Sequence, residues 1–132
     1  MADRRHARGL ADTSVIVDID RIDACDLPAE VAVSTLTLAE LAAGPLAATD
    51  AAERARRQDR LQRAEATFDP VPFDVAAARA YGRIYGSVVA TGGKARAVDL
   101  LIAATALAAG LPLYTRNPDD FTDLAEVEIV AI

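Results

Sequence analysis

Four separate segments of this sequence each set an acid or amide beside an apolar run. They supply Asp12 in "LADTS", Glu40 in "STLTLAEL", Asp99 in "RAVDLLIAATALAA", and Asn117, Asp119 and Asp120 in "YTRNPDDF". Gathered at one place, these side chains make an all-oxygen donor set. Carboxylates held close together raise one another's pKa, and burial adds a desolvation cost. A hard cation such as Mg²⁺ or Mn²⁺ relieves both, because oxygen ligands suit it. One or two such ions would activate water and clamp the phosphate oxygens of an in-line displacement, about 3.5–4 Å apart in two-metal sites. The chain has one histidine, His6, and one cysteine, Cys25. Zinc and a Cys–His nucleophilic pair are therefore disfavoured.

Each segment also has a local, purely structural reading. Asp12 opens "DTS" ahead of a helix, where a short acid is an ordinary N-cap. Glu40 completes "TLAE" with Thr37, a capping box of the kind worth roughly 1 kcal/mol. Asn117 and Pro118 suit the N-cap and N1 positions of a helix, with Asp119 and Asp120 following. Asp99 is harder to place as structure. It lies early in a helix with little polar face, where the helix dipole stabilises an anion. Four local readings arising together at one edge are less economical than one shared site.

The elements that would position these residues alternate. A short strand ends near Asp12, and a helix runs from Thr13 to about Arg21 despite its β-branched residues. "EVAVST" (30–35) reads as a buried strand and "TLAELAAG" (37–44) as a helix closed by Gly44 and Pro45. Residues 49–67 are strong helix formers, "FDPVPF" is an extended connection, and 74–93 is a helix that Asp74 caps. Residues 95–110 form a helix apolar nearly all round, followed by strands at 111–115 and 126–132. This pattern predicts an α/β domain with a short, mostly parallel sheet covered on both faces. Ligands in such folds bind at the carboxyl ends of the strands. Asp12, Glu40, Asp99 and Asn117–Asp120 all fall at that edge.

With 132 residues, 52% hydrophobic and 26% charged, the chain has enough apolar surface for one core. Residues 1–8 read as a solvated basic stub and 9–132 as a single domain. No apolar run reaches membrane-spanning length, and the lone cysteine fits a cytoplasmic setting. The net charge of −6 argues against nucleic-acid binding through a broad basic surface, but not where metal ions do the neutralising. Arg54, Arg56, Arg57, Arg60 and Arg63 form a basic stripe that could guide RNA or dock a partner. The pairs Glu53–Arg57 and Asp59–Arg63, four residues apart, equally describe a solvated helix. Lys94 and Arg96 precede Asp99, within reach of an entering phosphate, and read equally well as surface charges.

"LADTSVIVDI", "VSTLTLAEL", "AVDLLIAATALAAGLPLYTRNPDDF" and "EIV" together resemble the successive motifs of PIN-domain ribonucleases, in particular the VapC toxins of bacterial toxin–antitoxin pairs. The resemblance runs from about Gly9 onward, and its most specific stretch is Asp99–Phe121. It implies a PIN-like α/β/α fold and an endoribonuclease dependent on Mg²⁺ or Mn²⁺, homodimeric and silenced by a VapB-like antitoxin. Asp12, Glu40 and Asp99 match the family's three main acidic positions. The fourth falls on Asn117, and Asp120 matches the acid that follows it, with Asp119 the weaker candidate. Asp12, Asp99, Glu40 and Asp120 are thus the implied metal ligands. Thr13 and Thr115 match hydroxyl positions that support the acids or the water. The rival reading is a non-catalytic PIN-like module that binds RNA or a partner. A phospho-acceptor receiver is disfavoured, since Lys94, the only lysine, precedes a helix rather than following a strand.

Overall fold

Leu10 and Ala11 are neighbours on strand β1 (Arg8–Ala11), yet they face opposite cores. The same alternation holds for Ala32 and Val33 on β2 (Glu30–Ser34) and for Leu113 and Tyr114 on β4 (Leu113–Thr115). Side chains that alternate in this way require a sheet buried on both faces. The computed structural model describes residues 6–94, 96–124 and 126–132. The first five residues of the expected stub, and Ala95 at the expected start of a helix, lie outside the described residues.

Short strands β3 (Pro70–Val71) and β5 (Ile129–Ala131) complete a five-stranded sheet of order β3-β2-β1-β4-β5. Every pairing is parallel, so the mostly parallel sheet expected from sequence is parallel throughout. On one face pack α4 (Val75–Ala90) and α5 (Ala97–Ala109), through Ala80, Ile84, Leu100, Ile102 and Ala103. The other face is covered by α1 (Thr13–Val17), α2 (Thr35–Ala47) and α3 (Ala51–Thr67), through Val15, Ile16, Leu41 and Ala64. Leu10, Ile102 and Leu113 are fully buried, and each such side chain contributes about 1.5–3 kcal/mol of transfer free energy. Strand β1 is central. The chain works outward from it to β2 and β3, then crosses to β4 on its other side. The cleft between β1 and β4 is therefore the switch point at which doubly wound sheets take ligands.

Close backbone approach fixes this centre. A Cβ on Gly9 would lie 2.5 Å from Tyr114 Cε1, so no larger residue fits there without displacing the ring. Asp50 and Asp74 cap α3 and α4 by accepting from Glu53 N and Ala77 N. Gly110, with φ of +69°, closes α5 in the left-handed conformation that glycine adopts without strain.

The structure departs from the sequence expectation in several elements. The helix expected over 13–21 stops at Val17 and resumes as a 3₁₀ turn over Ile19–Arg21. The run of Val15, Ile16, Val17 and Ile19 supplies little helix propensity to carry it through. Gly44 and Pro45 do not end α2, which continues to Ala47. Arginines of α3 supply hydrogen bonds to the carbonyls at this helix end. Arg57 Nη1 donates to Gly44 O at 2.9 Å, and Arg54 donates to Pro45 O and Ala48 O at 3.2 and 3.3 Å. Cations at a helix C-terminus also suit its dipole. The two acid–base pairs read from the sequence are present on α3, with Arg57–Glu53 and Arg63–Asp59 both at 3.0 Å, and Arg56–Glu53 at 2.6 Å and Arg63–Asp20 at 3.3 Å join them. Part of "FDPVPF" is strand β3. Finally, His6 to Arg8 are not a loose stub: Arg8 begins β1, and His6 Nε2 lies 2.6 Å from Glu128.

Candidate active site

Asp12 follows β1 directly and does two things at once. Its Oδ1 accepts from Val15 N at 3.2 Å, capping α1, and from Ser14 Oγ at 2.5 Å. Its Oδ2 accepts from Thr115 Oγ1, also at 2.5 Å. Thr115 is the last residue of β4 and fully buried. The bond therefore ties the carboxylate at the end of β1 to the end of the neighbouring strand. Thr115 Oγ1 in turn accepts from Asn117 N at 3.0 Å, and Ser14 Oγ accepts from Arg116 N at 3.0 Å. Two hydroxyls thus hold Asp12 and the β4 turn in one register.

Glu40 is not the partner of a capping box. Ser34 is the N-cap of α2, and its Oγ accepts from Thr37 N at 3.0 Å. Glu40 Oε1 instead accepts from Thr13 Oγ1 at 2.5 Å, across from α1. The sequence expectation failed because "TLAE" matches the box while the serine one residue before Thr35 takes the cap. That failure frees Glu40 to face the sheet edge.

Asp99 lies in the first turn of α5 and is 8% exposed. Its Oδ2 is buried and accepts no hydrogen bond among the described residues, although Arg96 Nε stands 3.2 Å away. Burial pushes the carboxyl above the ordinary carboxylate range. Arg96 opposes that rise, and Asp120, Glu40 and Asp12 add to it. An acid kept this way has unmet demand for a positive partner.

Asn117 precedes a 3₁₀ turn, Pro118–Phe121, and its side chain makes no capping hydrogen bond. The capping role expected for it is therefore absent, and only its backbone starts the turn, where its carbonyl accepts from Asp120 N at 3.0 Å. Proline at the first position suits the start of the turn, and buried Phe121 anchors its other side.

Asp12, Glu40, Asp99, Asn117 and Asp120 all line one cavity of about 460 Å³ at the carboxyl edge. Asp119 is not among its walls. Thr13 lines it too, whereas His6 and Cys25 do not. Three polar wall residues were not singled out from the sequence: Ser14, Asp18 and Arg116. The "DTS" hydroxyl beside Asp12 was the available signal for Ser14. Nothing local marked Arg116, whose guanidinium lies 3.5 Å from Asp18.

Five carboxylates and two guanidiniums face this cavity, which leaves it acidic. No histidine or cysteine lines it, so the donor set suits a hard divalent cation rather than zinc. The orphaned Oδ2 of Asp99 is the atom most in need of one. Among the described residues no three acidic, histidine or cysteine side chains enclose an ion as they stand. Glu40 and Asp99 are separated by Arg96, which lies 3.8 Å from Glu40 Oε2 as well as 3.2 Å from Asp99 Oδ2.

The PIN domain family profile matches residues 10–127. The chain is 37% identical to Ribonuclease VapC5 of Mycobacterium tuberculosis, covering 96% of each. It is 34% identical to Ribonuclease VapC4 of the same organism, covering 95% of this chain and 97% of that one. In structure it is similar to the VapBC-5 toxin–antitoxin complex of M. tuberculosis, with a TM-score of 0.85 and 35% identity over 96% of this chain and 99% of the matched one.

Proposed function

The chain belongs to the PIN-domain family and, within it, to the VapC ribonucleases, and from that premise we propose that it hydrolyses RNA phosphodiesters with a Mg²⁺ or Mn²⁺ ion held at the Asp12–Asp99 cleft. It is the endoribonuclease toxin of a toxin–antitoxin pair, and the expected partner is a VapB-like protein. The observation that carries the metal reading is the buried, hydrogen-bond-free Oδ2 of Asp99 facing an acidic, oxygen-lined cavity.

Asp12 and Asp99 would hold the cation directly, with Glu40 and Asp120 completing the shell. Bound there, a divalent ion supplies the positive charge that polarises a phosphoryl oxygen and eases deprotonation of water. The protein's own part is orientation. Ser14 and Thr115 fix both oxygens of Asp12, and Thr13 fixes one oxygen of Glu40. The other oxygen of Glu40, 3.8 Å from Arg96, would receive the proton of the attacking water once that guanidinium turns away. Asn117, whose side chain makes no capping hydrogen bond among the described residues, lies on the wall formed by the β4 turn, suited to a phosphate oxygen. Arg116, on the same wall, adds positive charge beside the entering backbone.

The purified chain should cleave RNA in Mg²⁺ or Mn²⁺ and stop in chelator, and co-expression with its VapB-like partner should silence it. Cleavage that continues in chelator would remove the metal from the reading. Stoichiometric Mn²⁺ binding with no cleavage of any RNA would favour the non-catalytic binding module instead.

A homodimer is supported by α4, which exposes Val75, Tyr85 and Val89 and has open space beside Gly82 and Gly86. Apolar side chains with room for a second backbone suit helix-to-helix contact. Light scattering should return twice the monomer mass of 13.9 kDa; a monomer at micromolar concentration would exclude the dimer. Among the described residues no helix is long and apolar enough to cross a membrane.

A further inference from the structure

Arg96 occupies the N-cap position of α5 but makes no capping hydrogen bond with its side chain. Its guanidinium instead reaches two carboxylates from different helices. Nε lies 3.2 Å from Asp99 Oδ2 on α5, and Nη2 lies 3.8 Å from Glu40 Oε2 on α2. Among the described residues, no other basic side chain is ion-paired to any acid proposed here as a cation ligand. Arg116, the second guanidinium on the cavity wall, is paired with Asp18.

Two properties of this contact suggest that it exchanges. First, it supplies charge without a directed bond, since Asp99 Oδ2 accepts no hydrogen bond from it. Second, the arginine side chain is 70% exposed while the Asp99 side chain is 11% exposed. The guanidinium can therefore turn into solvent at little cost, whereas the carboxylate cannot follow. Arg54 and Arg57 of α3 are held differently, by directed bonds to carbonyls at the end of α2.

We propose that Arg96 is a positioning residue, an internal counter-ion that holds Glu40 and Asp99 and competes with the divalent cation for them. The proposal rests on the metal-binding reading of the cavity. Before a cation binds, the guanidinium offsets the repulsion between the acids and keeps the buried Asp99 carboxylate beside a positive charge. Cation entry then requires the guanidinium to leave. The arginine thus lowers apparent metal affinity while keeping the acids in place.

The test is calorimetric titration of Mn²⁺ into the full chain, with Arg96→Gln, Arg96→Lys and Asp99→Asn alongside at one ionic strength. Removing a partly exposed ion pair from each of two carboxylates should tighten Mn²⁺ binding about three- to tenfold in Arg96→Gln. Arg96→Lys, which keeps the charge, should fall between that variant and the native chain. Thermal unfolding separates this from a merely structural role. A structural role lowers the melting temperature equally in chelator and in Mn²⁺. The counter-ion role lowers it in chelator and enlarges the gain on adding Mn²⁺. Affinity that is unchanged or weaker in Arg96→Gln would overturn the competition. If that variant fails to fold, Arg96→Lys with native Mn²⁺ affinity and an unchanged Mn²⁺-induced gain in melting temperature would do the same. A native chain that takes up no Mn²⁺, or an Asp99→Asn chain that binds it as well as native, would instead strike the metal reading itself.

Discussion

Asp99→Asn should lose RNA cleavage by at least about a thousandfold in Mg²⁺, roughly 4 kcal/mol of transition-state stabilisation, while becoming more heat-stable in chelator. The two effects have one cause. Burial raises the Asp99 carboxyl above its ordinary range, with Asp120, Glu40 and Asp12 adding to the rise and Arg96 opposing it. For an acid whose folded pKa exceeds its unfolded one, the folded chain holds more protons across the interval between the two. Stability therefore falls as pH rises through that interval and stays lower above it. Asparagine cannot ionise, so it escapes the penalty at neutral pH, and its melting temperature should rise by a few degrees over native. Below the ordinary carboxylate range, where both forms are neutral, the difference should shrink. In saturating Mn²⁺ the native chain gains from the bound ion and the variant gains less, so the order should narrow or reverse. Melting curves with and without chelator at two pH values check this. A variant less stable than native in chelator at neutral pH would refute the account of Asp99 as a strained acid.

Asp12 should behave in the opposite way although the same chemistry is proposed for it. Its carboxylate caps α1, accepts from Ser14 and accepts from the buried Thr115 hydroxyl. Asp12→Ala removes the cap and strands a buried hydroxyl, so it should cost about 2–4 kcal/mol in urea unfolding as well as abolishing cleavage. Asp12→Asn keeps an acceptor for Val15 N, so most of the stability should return while cleavage does not. An Asp12→Ala chain with native stability would mean that the β1 and β4 ends are held by something other than this carboxylate. The two acids share a cavity, yet one is a strut and the other a strain. Activity alone cannot separate them, and stability can.

Much of the fold and the site is legible in the sequence. The apolar run around Asp99 marked a buried helix carrying an acid that is costly to bury, and the structure buries it with one oxygen that accepts no hydrogen bond among the described residues. Asp74 was legible as the cap of α4, and its carboxylate does accept from Ala77 N. What misled were local motifs with two solutions. "TLAE" fits a capping box, but Ser34 outcompetes Thr37 for the cap because it stands where the strand ends. "GP" at 44–45 looks like a helix stop, but arginines from α3 supply what a terminus lacks. Asn117 looked like a side-chain cap and is not one. At 44–45 the deciding partners lay in another element, α3, so a window of neighbouring residues could not contain them. For the same reason the Arg96 bridge was invisible. One partner is a turn away on α5, but the other is on α2, with α3, β3 and α4 between them in the chain.

The Thr115–Asp12 bond also has a consequence in time. It joins residues separated by |i−j| = 103 in the chain, and it bridges the first strand made to the fourth. During synthesis the N-terminal half emerges with Asp12, Thr13 and Glu40 but without Asp99, Asn117, Asp120 or the strand that steadies Asp12. A nascent chain at that stage carries two of the four acids proposed as cation ligands and no β4 to align them. The ribosome therefore makes a potential RNA-cutting protein whose site stays incomplete until its last wall, the β4 turn, has emerged and paired beside β1.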